Sequence, residues 1–340
     1  MRAARLHAYG QGLALDDVEE PTIQDPFEVI VRIGGAGLCR TDLHILEGQL
    51  EGRVEVELPY TLGHENAGWV AEVGSAVTNV GIGDPVIVHP LMSCGFCRAC
   101  RAGDDMHCEE SHFPGLTVDG GFAELLKTSA RALVKLTPDV EPKHAAALSD
   151  AGLAAYHAVK KAALILHPGA RVVVLGAGGL GHIGIQCLKV LTPAEVIVID
   201  ASPAAVELAG ELGADRSLLA DGTHVAAVRD LTNGGAEVVM DFVGEGSAIG
   251  DALAMLRRAG TLYAVGYGGT LHIPTIDIVS TELTVVGNLV GTYNELVELM
   301  TLAAQGRVRV HTTTYPLDAI DEAIADLRAG RLNGRGFLVP

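Results

Sequence analysis

Residues 171–200 constrain the fold of this chain more than any other stretch. Arg171-Val172-Val173-Val174-Leu175 is a continuous apolar run, the pattern of a parallel strand buried on both faces. It ends in Gly176-Ala177-Gly178-Gly179-Leu180-Gly181, and a helical segment over 180–191 follows. Glycines at 176, 178 and 181 fit the spacing G-x-G-x-x-G. They permit a tight turn, let backbone N–H groups approach a pyrophosphate, and lead into a helix N-terminus whose dipole favours an anion. Asp200 ends the next candidate strand, 24 residues after Gly176. A carboxylate there accepts hydrogen bonds from adenosine ribose hydroxyls and repels a 2′-phosphate. No arginine directly follows it, so the stretch reads as an NAD site rather than an NADP site. The plain alternative is a bare glycine turn with a solvated Asp200.

The rhythm continues beyond Asp200. Candidate strands at 217–219, 237–241, 261–265 and 284–287 alternate with helical segments such as 203–212 and 247–258, which predicts a doubly wound parallel sheet. Residues 1–90 read differently. Glu28–Ile33 alternates outward charge with inward β-branched residues, and Gly34-Gly35-Ala36-Gly37 is read as breaking that strand. Gly68–Gly74 is another strand closed by glycine and Gly83–Val88 a turn followed by a strand; short strands at glycine corners are the signature of a small barrel-like β domain. Strand-like pieces resume at Gly121–Glu124 and end near Pro138. The Ala-rich helical stretch Lys143–Lys161 marks the boundary between the two patterns. Residues 294–305 and 318–329 are read as helices, and Gly336–Val339 as a closing strand.

Composition bounds the function. The chain has 340 residues, 49% apolar and 19% charged, enough for two domains and a large core. A formal net charge of −18 repels phosphate backbones and argues against a nucleic-acid partner. No apolar run resembles a signal peptide or spans a bilayer, so a cytoplasmic protein with no membrane partner is expected. Disulfides are not expected in that compartment, yet four of the six cysteines crowd into 94–108. Cys94-x2-Cys97-x2-Cys100-x7-Cys108 can close a tetrahedron around Zn²⁺ with no open position. Such a site stabilises a lobe (91–111) too poor in apolar residues to fold alone; an iron–sulfur cluster or free thiols are the alternatives. Cys187 falls within a helix and reads as a small core residue. His7, His167, His224 and His311 read as surface groups.

A second metal site is suggested by Cys39-Arg40-Thr41-Asp42-Leu43-His44 together with Gly63-His64-Glu65. A catalytic zinc needs three protein ligands and one open position. Cys39 and His64 offer a sulfur and a nitrogen, each at the end of an inferred strand, and Asp150 at the domain boundary is the candidate third ligand. Asp42 is placed to orient His64, and Glu65 to sit behind the metal or bind it transiently. Solvated acids and a core imidazole are the plain alternatives.

Taken together, these motifs resemble the zinc-dependent medium-chain alcohol dehydrogenases over essentially the whole chain. The resemblance implies an α/β protein with a GroES-like β-rich catalytic domain over 1–151 and 290–340, carrying the 91–111 lobe. A Rossmann doubly wound parallel-sheet domain over 152–289 would bind NAD. Two Zn²⁺ per subunit are implied: a catalytic ion on Cys39, His64 and Asp150, and a structural ion on Cys94, Cys97, Cys100 and Cys108. Asp at the third catalytic position is the pattern of a subset, many of them bacterial; Cys is common elsewhere in the family. Thr41 and His44 match proton-relay positions. Arg40 and the Arg335 of Gly334-Arg335-Gly336 match positions that reach the cofactor pyrophosphate. Val265-Gly266 and Asn288-Leu289-Val290 match segments flanking the nicotinamide, completing a cofactor site with Gly176, Gly178, Gly179, Leu180, Gly181 and Asp200. A lysine often seen a few residues after the ribose acid is absent, with Val206 and its neighbours in its place.

The implied activity is hydride transfer between a primary or secondary alcohol and NAD, with an aldehyde or ketone substrate in reverse. A polyol or amino-alcohol dehydrogenase shares these motifs, and pocket residues decide between them; by position the candidates include Leu46, Tyr60, Trp69, Phe113, Tyr267 and Leu289. A non-catalytic NAD- and zinc-binding protein is the alternative from another class. The apolar stretch Thr284–Gly291 is expected to pair edge to edge in a homodimer or homotetramer.

Overall fold

In chain order the strands are β1 (Arg2–Leu6), β2 (Ala14–Asp17), β3 (Glu28–Leu38), β4 (Tyr60–Thr61), β5 (Glu65–Val73), β6 (Pro85–Val88), β7 (Leu125–Ser129), β8 (Leu133–Lys135), β9 (Arg171–Leu175), β10 (Glu195–Asp200), β11 (Arg216–Leu219), β12 (Ala236–Asp241), β13 (Leu256–Ala264), β14 (Thr284–Gly287), β15 (Thr312–Pro316) and β16 (Arg335–Val339). The structure is a computed structural model in which residues 1–54 and 56–340 are described. One unit comprises Met1–Leu153, Thr292–Gly306 and Val310–Pro340; the other comprises Ala154–Gly291 with Arg307–Arg309.

The first unit is built around β3. Its larger sheet runs β15-β16-β3-β5-β6-β8, with β7 also paired to β3, and a smaller sheet runs β2-β1-β4. β3 pairs antiparallel with β16, β5 and β7. Val29, Val31, Ile33 and Leu38 of β3 pack into one core with Phe122, Leu126 and Leu338. The glycine run expected to break β3 does not break it; the strand continues to Leu38. These glycines mark close approach instead. A Cβ on Gly34 would press into the Trp69 ring, one on Gly35 into the Lys143 backbone, and one on Gly37 into the Glu65 carboxylate. A register shift between Ile33 and Gly35 absorbs the local irregularity, as a β-bulge does.

The second unit holds a six-stranded sheet in the order β11-β10-β9-β12-β13-β14, parallel throughout. Val172–Val174, Val196–Val198 and Val238–Met240 are fully buried, which explains their unbroken apolar runs. The order reverses between β9 and β12, the switch point at which open α/β sheets bind ligands. This is the Rossmann arrangement expected from the strand–helix alternation. Two local expectations need correction. The helix expected to reach 258 stops at Met255, because Leu256 already pairs with Ala236 at the start of β13. His224 is buried rather than surface-exposed, with Nε2 3.4 Å from Asp251 Oδ2. No helix among the described residues is long and apolar enough to cross a membrane.

Candidate metal and cofactor sites

The four crowded cysteines converge. One sulfur from each of Cys94, Cys97, Cys100 and Cys108 lies within 4.8 Å of the others, and Cys94 Sγ is 4.0 Å from Cys100 Sγ. The local backbone aims donors at the sulfurs: Cys97 N–H donates to Cys94 Sγ at 3.4 Å and Cys94 N–H to Cys108 Sγ at 3.3 Å. The N–H of Cys100, then that of Glu109, pulls the Cys97 thiol down to about 6. Four converging sulfurs, with backbone N–H groups aimed into the cluster, fit a closed zinc site.

The second donor set is assembled by strand register. β3 and β5 pair with Gly37 opposite Glu65, so Cys39 and His64 meet beside the ends of these two strands. A short helix, Arg40–Leu46, starts directly after Cys39. Asp42 in its first turn accepts the Cys39 N–H through Oδ2 at 2.8 Å. Its other oxygen, Oδ1, lies 3.2 Å from His64 Nδ1. Asp150 follows the turn Ala146–Ser149, which is pinned to β5 by the Asn66 N–H donating to Ser149 Oγ at 3.1 Å. Asp150 Oδ2 is 3.5 Å from His64 Nε2.

Cys39, His64, Glu65 and Asp150 each offer a ligand atom within 4.8 Å of the rest. Neither nitrogen of the buried His64 ring has a hydrogen-bond partner of good geometry among the described residues. Burial by itself would push the imidazole pKa down, yet Asp42, Asp150 and Cys39 raise it well above its ordinary value. The pocket therefore favours positive charge at that point. Sulfur, nitrogen and carboxylate oxygen around an orphaned imidazole fit Zn²⁺.

Other expected residues fall as follows. Thr41 is half-buried, His44 is buried, and Arg40 is exposed on the Cys39 helix. Glu65 Oε1 accepts the Ala151 N–H at 3.2 Å. Arg335, expected at a pyrophosphate, has its buried guanidinium on Glu65, with Nε 2.9 Å from Oε2. Its sequence context, Arg between two glycines, carries no signal for that partner. The Phe113 ring meets His64 edge-on with centroids 6.0 Å apart. Ser149, which anchors the Asp150 turn, carries no sequence signal of that role beyond directly preceding Asp150.

In the second unit, Gly176 adopts φ +86°, a conformation L side chains rarely take. A Cβ on Gly181 would overlap the Gly176 carbonyl, whereas one on Gly178 would meet nothing within 4 Å. Gly176 and Gly181 serve the turn, and Gly178 leaves the open approach a pyrophosphate needs. Gly179 and Leu180 complete the turn into the helix Gly181–Leu191. Asp200 Oδ2 accepts the Ala177 N–H at 2.7 Å and Oδ1 the Ser202 N–H at 2.8 Å. His182 is buried and donates from Nδ1 to the Gly178 carbonyl at 2.8 Å. Val265 and Gly266 donate their N–H groups to the Asp241 carbonyl. Asn288 turns its amide inward, donating to Val286 O at 3.0 Å and accepting from Lys161 Nζ at 3.0 Å. Leu289 is 54% exposed while Val290 is buried.

Comparison with known proteins covers both units. Residues 25–139 match the family described as alcohol dehydrogenase GroES-like domain, and residues 179–305 that described as zinc-binding dehydrogenase. These matches define a zinc-binding dehydrogenase with a GroES-like domain. D-arabinose 1-dehydrogenase (NADP(+)) of Saccharolobus solfataricus is 36% identical over 346 residues, covering 100% of this chain and 97% of that protein. NAD-dependent alcohol dehydrogenase of Sulfolobus acidocaldarius is 32% identical over 347 residues, covering 99% of each. The crystal structure of the alcohol dehydrogenase from Aeropyrum pernix superposes with a TM-score of 0.98 at 49% identity, covering 100% of both chains. The chain belongs to the zinc-dependent medium-chain alcohol dehydrogenase family.

Proposed function

We propose that this protein transfers a hydride between a primary or secondary alcohol and NAD, running from aldehyde or ketone in reverse. Cys39, His64 and Asp150 are assigned to a catalytic zinc, and the four-cysteine set to a structural one. The observation that carries this reading is the convergence of Cys39, His64, Glu65 and Asp150 donor atoms within 4.8 Å, beside the helix that bears Thr41 and His44. Zinc held there supplies Lewis-acid polarisation of the substrate oxygen, and bound nicotinamide supplies the hydride acceptor.

The chain's own residues supply proton handling and alignment. Thr41 Oγ1 takes the alcohol proton, and His44, three residues later and so on the same helix face, carries it onward as a general base. Asp42, whose Oδ1 lies 3.2 Å from His64 Nδ1, is the carboxylate that draws the ring toward a ligating orientation. Phe113 covers one edge of that ring and helps exclude water. Glu65, neutralised by Arg335, stands behind the ligands. Asp200 selects NAD by receiving ribose hydroxyls, while Arg40 takes the pyrophosphate side.

NADH absorbance with a panel of alcohols, offered with NAD and NADP and repeated after zinc chelation, tests the reading. Turnover of simple alcohols with NAD, abolished by chelation, is the expected result. Bound NAD without turnover of any alcohol would mean a non-catalytic binding protein. The 36% identity to an enzyme named for D-arabinose favours including sugars and polyols in the panel as the second reading. We further propose a cytoplasmic homodimer or homotetramer. Its support is β14 at the open edge of the parallel sheet, with Val285 and Leu289 exposed beside it.

A further inference from the structure

Asp241 ends β12 at the point where the strand order reverses, and it is only 1% exposed. Nothing above gives it a part in the reaction. Its side chain and its main chain hold two different segments. Oδ1 accepts the N–H groups of Val243 at 2.9 Å and Gly244 at 3.0 Å, folding 242–244 into a tight turn. Its carbonyl accepts the N–H groups of Val265 at 3.0 Å and Gly266 at 2.9 Å.

The two segments also touch directly. A Cβ on Gly244 would overlap the Gly266 backbone, and one on Gly266 would lie 2.6 Å from the Phe242 carbonyl carbon. On its other side the turn meets the glycine loop: a Cβ on Gly176 would sit 2.8 Å from a Val243 methyl. The 242–244 turn is thus wedged between the glycine loop and Val265–Gly266, and a single buried carboxylate sets its shape. Asp200 on β10 and Asp241 on β12 flank β9, and each accepts backbone N–H groups at a strand end.

We propose that Asp241 is the positioning residue for the nicotinamide half of the cofactor site, fixing Val265–Gly266 at its spacing from the glycine loop. This rests on the NAD reading above. The role asks only for an acceptor oxygen, since Oδ1 serves two neutral N–H groups. Asparagine keeps that oxygen and alanine removes it.

The test is calorimetric titration of the zinc-loaded protein with NADH and with AMP, which occupies the adenosine half alone. Asp241→Ala should bind NADH about tenfold more weakly or worse, with AMP within about twofold of wild type. Asp241→Asn should stay within about threefold for both ligands. Gly266→Ala leaves the carboxylate intact and pushes on the same junction from the other side. It should follow the alanine pattern, and it carries the test if Asp241→Ala does not fold. NADH affinity unchanged in Asp241→Ala or Gly266→Ala overturns the proposal. So does an equal loss of NADH and AMP, which would mean that Asp241 only supports the fold of its unit. Wild-type protein that binds neither ligand overturns the cofactor reading itself, and the proposal with it.

Discussion

Arg335 reaches Glu65 across 270 residues of sequence, its Nε 2.9 Å from Oε2, with both side chains almost wholly withdrawn from solvent. Burial pushes the Glu65 carboxyl up against the pull of Arg335. Arg335→Ala leaves that carboxylate buried without its counter-charge, and breaking such pairs costs about 3–5 kcal/mol. Urea denaturation of the variant should show a loss of that size. A loss below about 1 kcal/mol would match an exposed pair instead and would contradict the burial seen here.

Asp150→Asn should lower the zinc content by one of the two equivalents that the two donor sets can hold, and turnover should fall with it. Unchanged metal and activity would remove Asp150 from the ligand set. Thr41→Ala tests the relay separately: zinc content should hold while turnover falls by about 10²–10⁴-fold, the usual worth of a general-base step. Wild-type turnover would exclude Thr41 from proton transfer.

The cysteines should differ sharply as nucleophiles once chelator has been added. The Cys97 thiol is drawn down to about 6 by the Cys100 N–H, whereas burial pushes Cys100 and Cys187 up to about 12. The thiolate is the reactive form. Timed alkylation at neutral pH, read by mass spectrometry, should label Cys97 first and Cys187 only on unfolding. With zinc in place, Cys97 should be protected.

Tyr315 Oη donates to Asp326 Oδ2 at 2.6 Å. Burial, then that hydrogen bond, pushes the phenol up to about 12. A group whose pKa is raised by folding contributes stability below its unfolded value, about 10 for tyrosine, and loses it as pH rises toward the folded value. Wild type should therefore lose stability relative to Tyr315→Phe between about pH 10 and 12. Parallel denaturation curves in that window check the sign; a gap that widens with pH would contradict it.

Legibility in the sequence followed how local each cause was. The run Arg171–Leu175, the glycine turn and Asp200 announce themselves because strand, turn and helix signals are adjacent in the chain. The Cys94–Cys108 set is local in the same sense. The glycines of β3 misled because what crowds them, Trp69, Lys143 and Glu65, lies far along the chain; a glycine required by a distant neighbour looks like one that ends a strand. His224 fails for the same reason, since Asp251 is a tertiary partner, and the Arg335–Glu65 pair is invisible in the chain for that reason too. Asp241 reads only as the last residue of the candidate strand 237–241, because the turn its carboxylate holds meets the glycine loop only through tertiary packing.

The discontinuity of the first unit also bears on how the protein reaches its native state. The second unit is nearly contiguous in sequence and can collapse on local contacts. By contrast, β3 must wait for β16, its partner at Ala36–Leu38, until the whole intervening insert has been traversed. Closing so long a loop is slow, and meanwhile the end of β3 next to Cys39 is an unpaired strand edge, a template for association with other chains. Refolding yield should therefore be set by a race between compaction of the insert and intermolecular pairing at β3, with dilution favouring the native product.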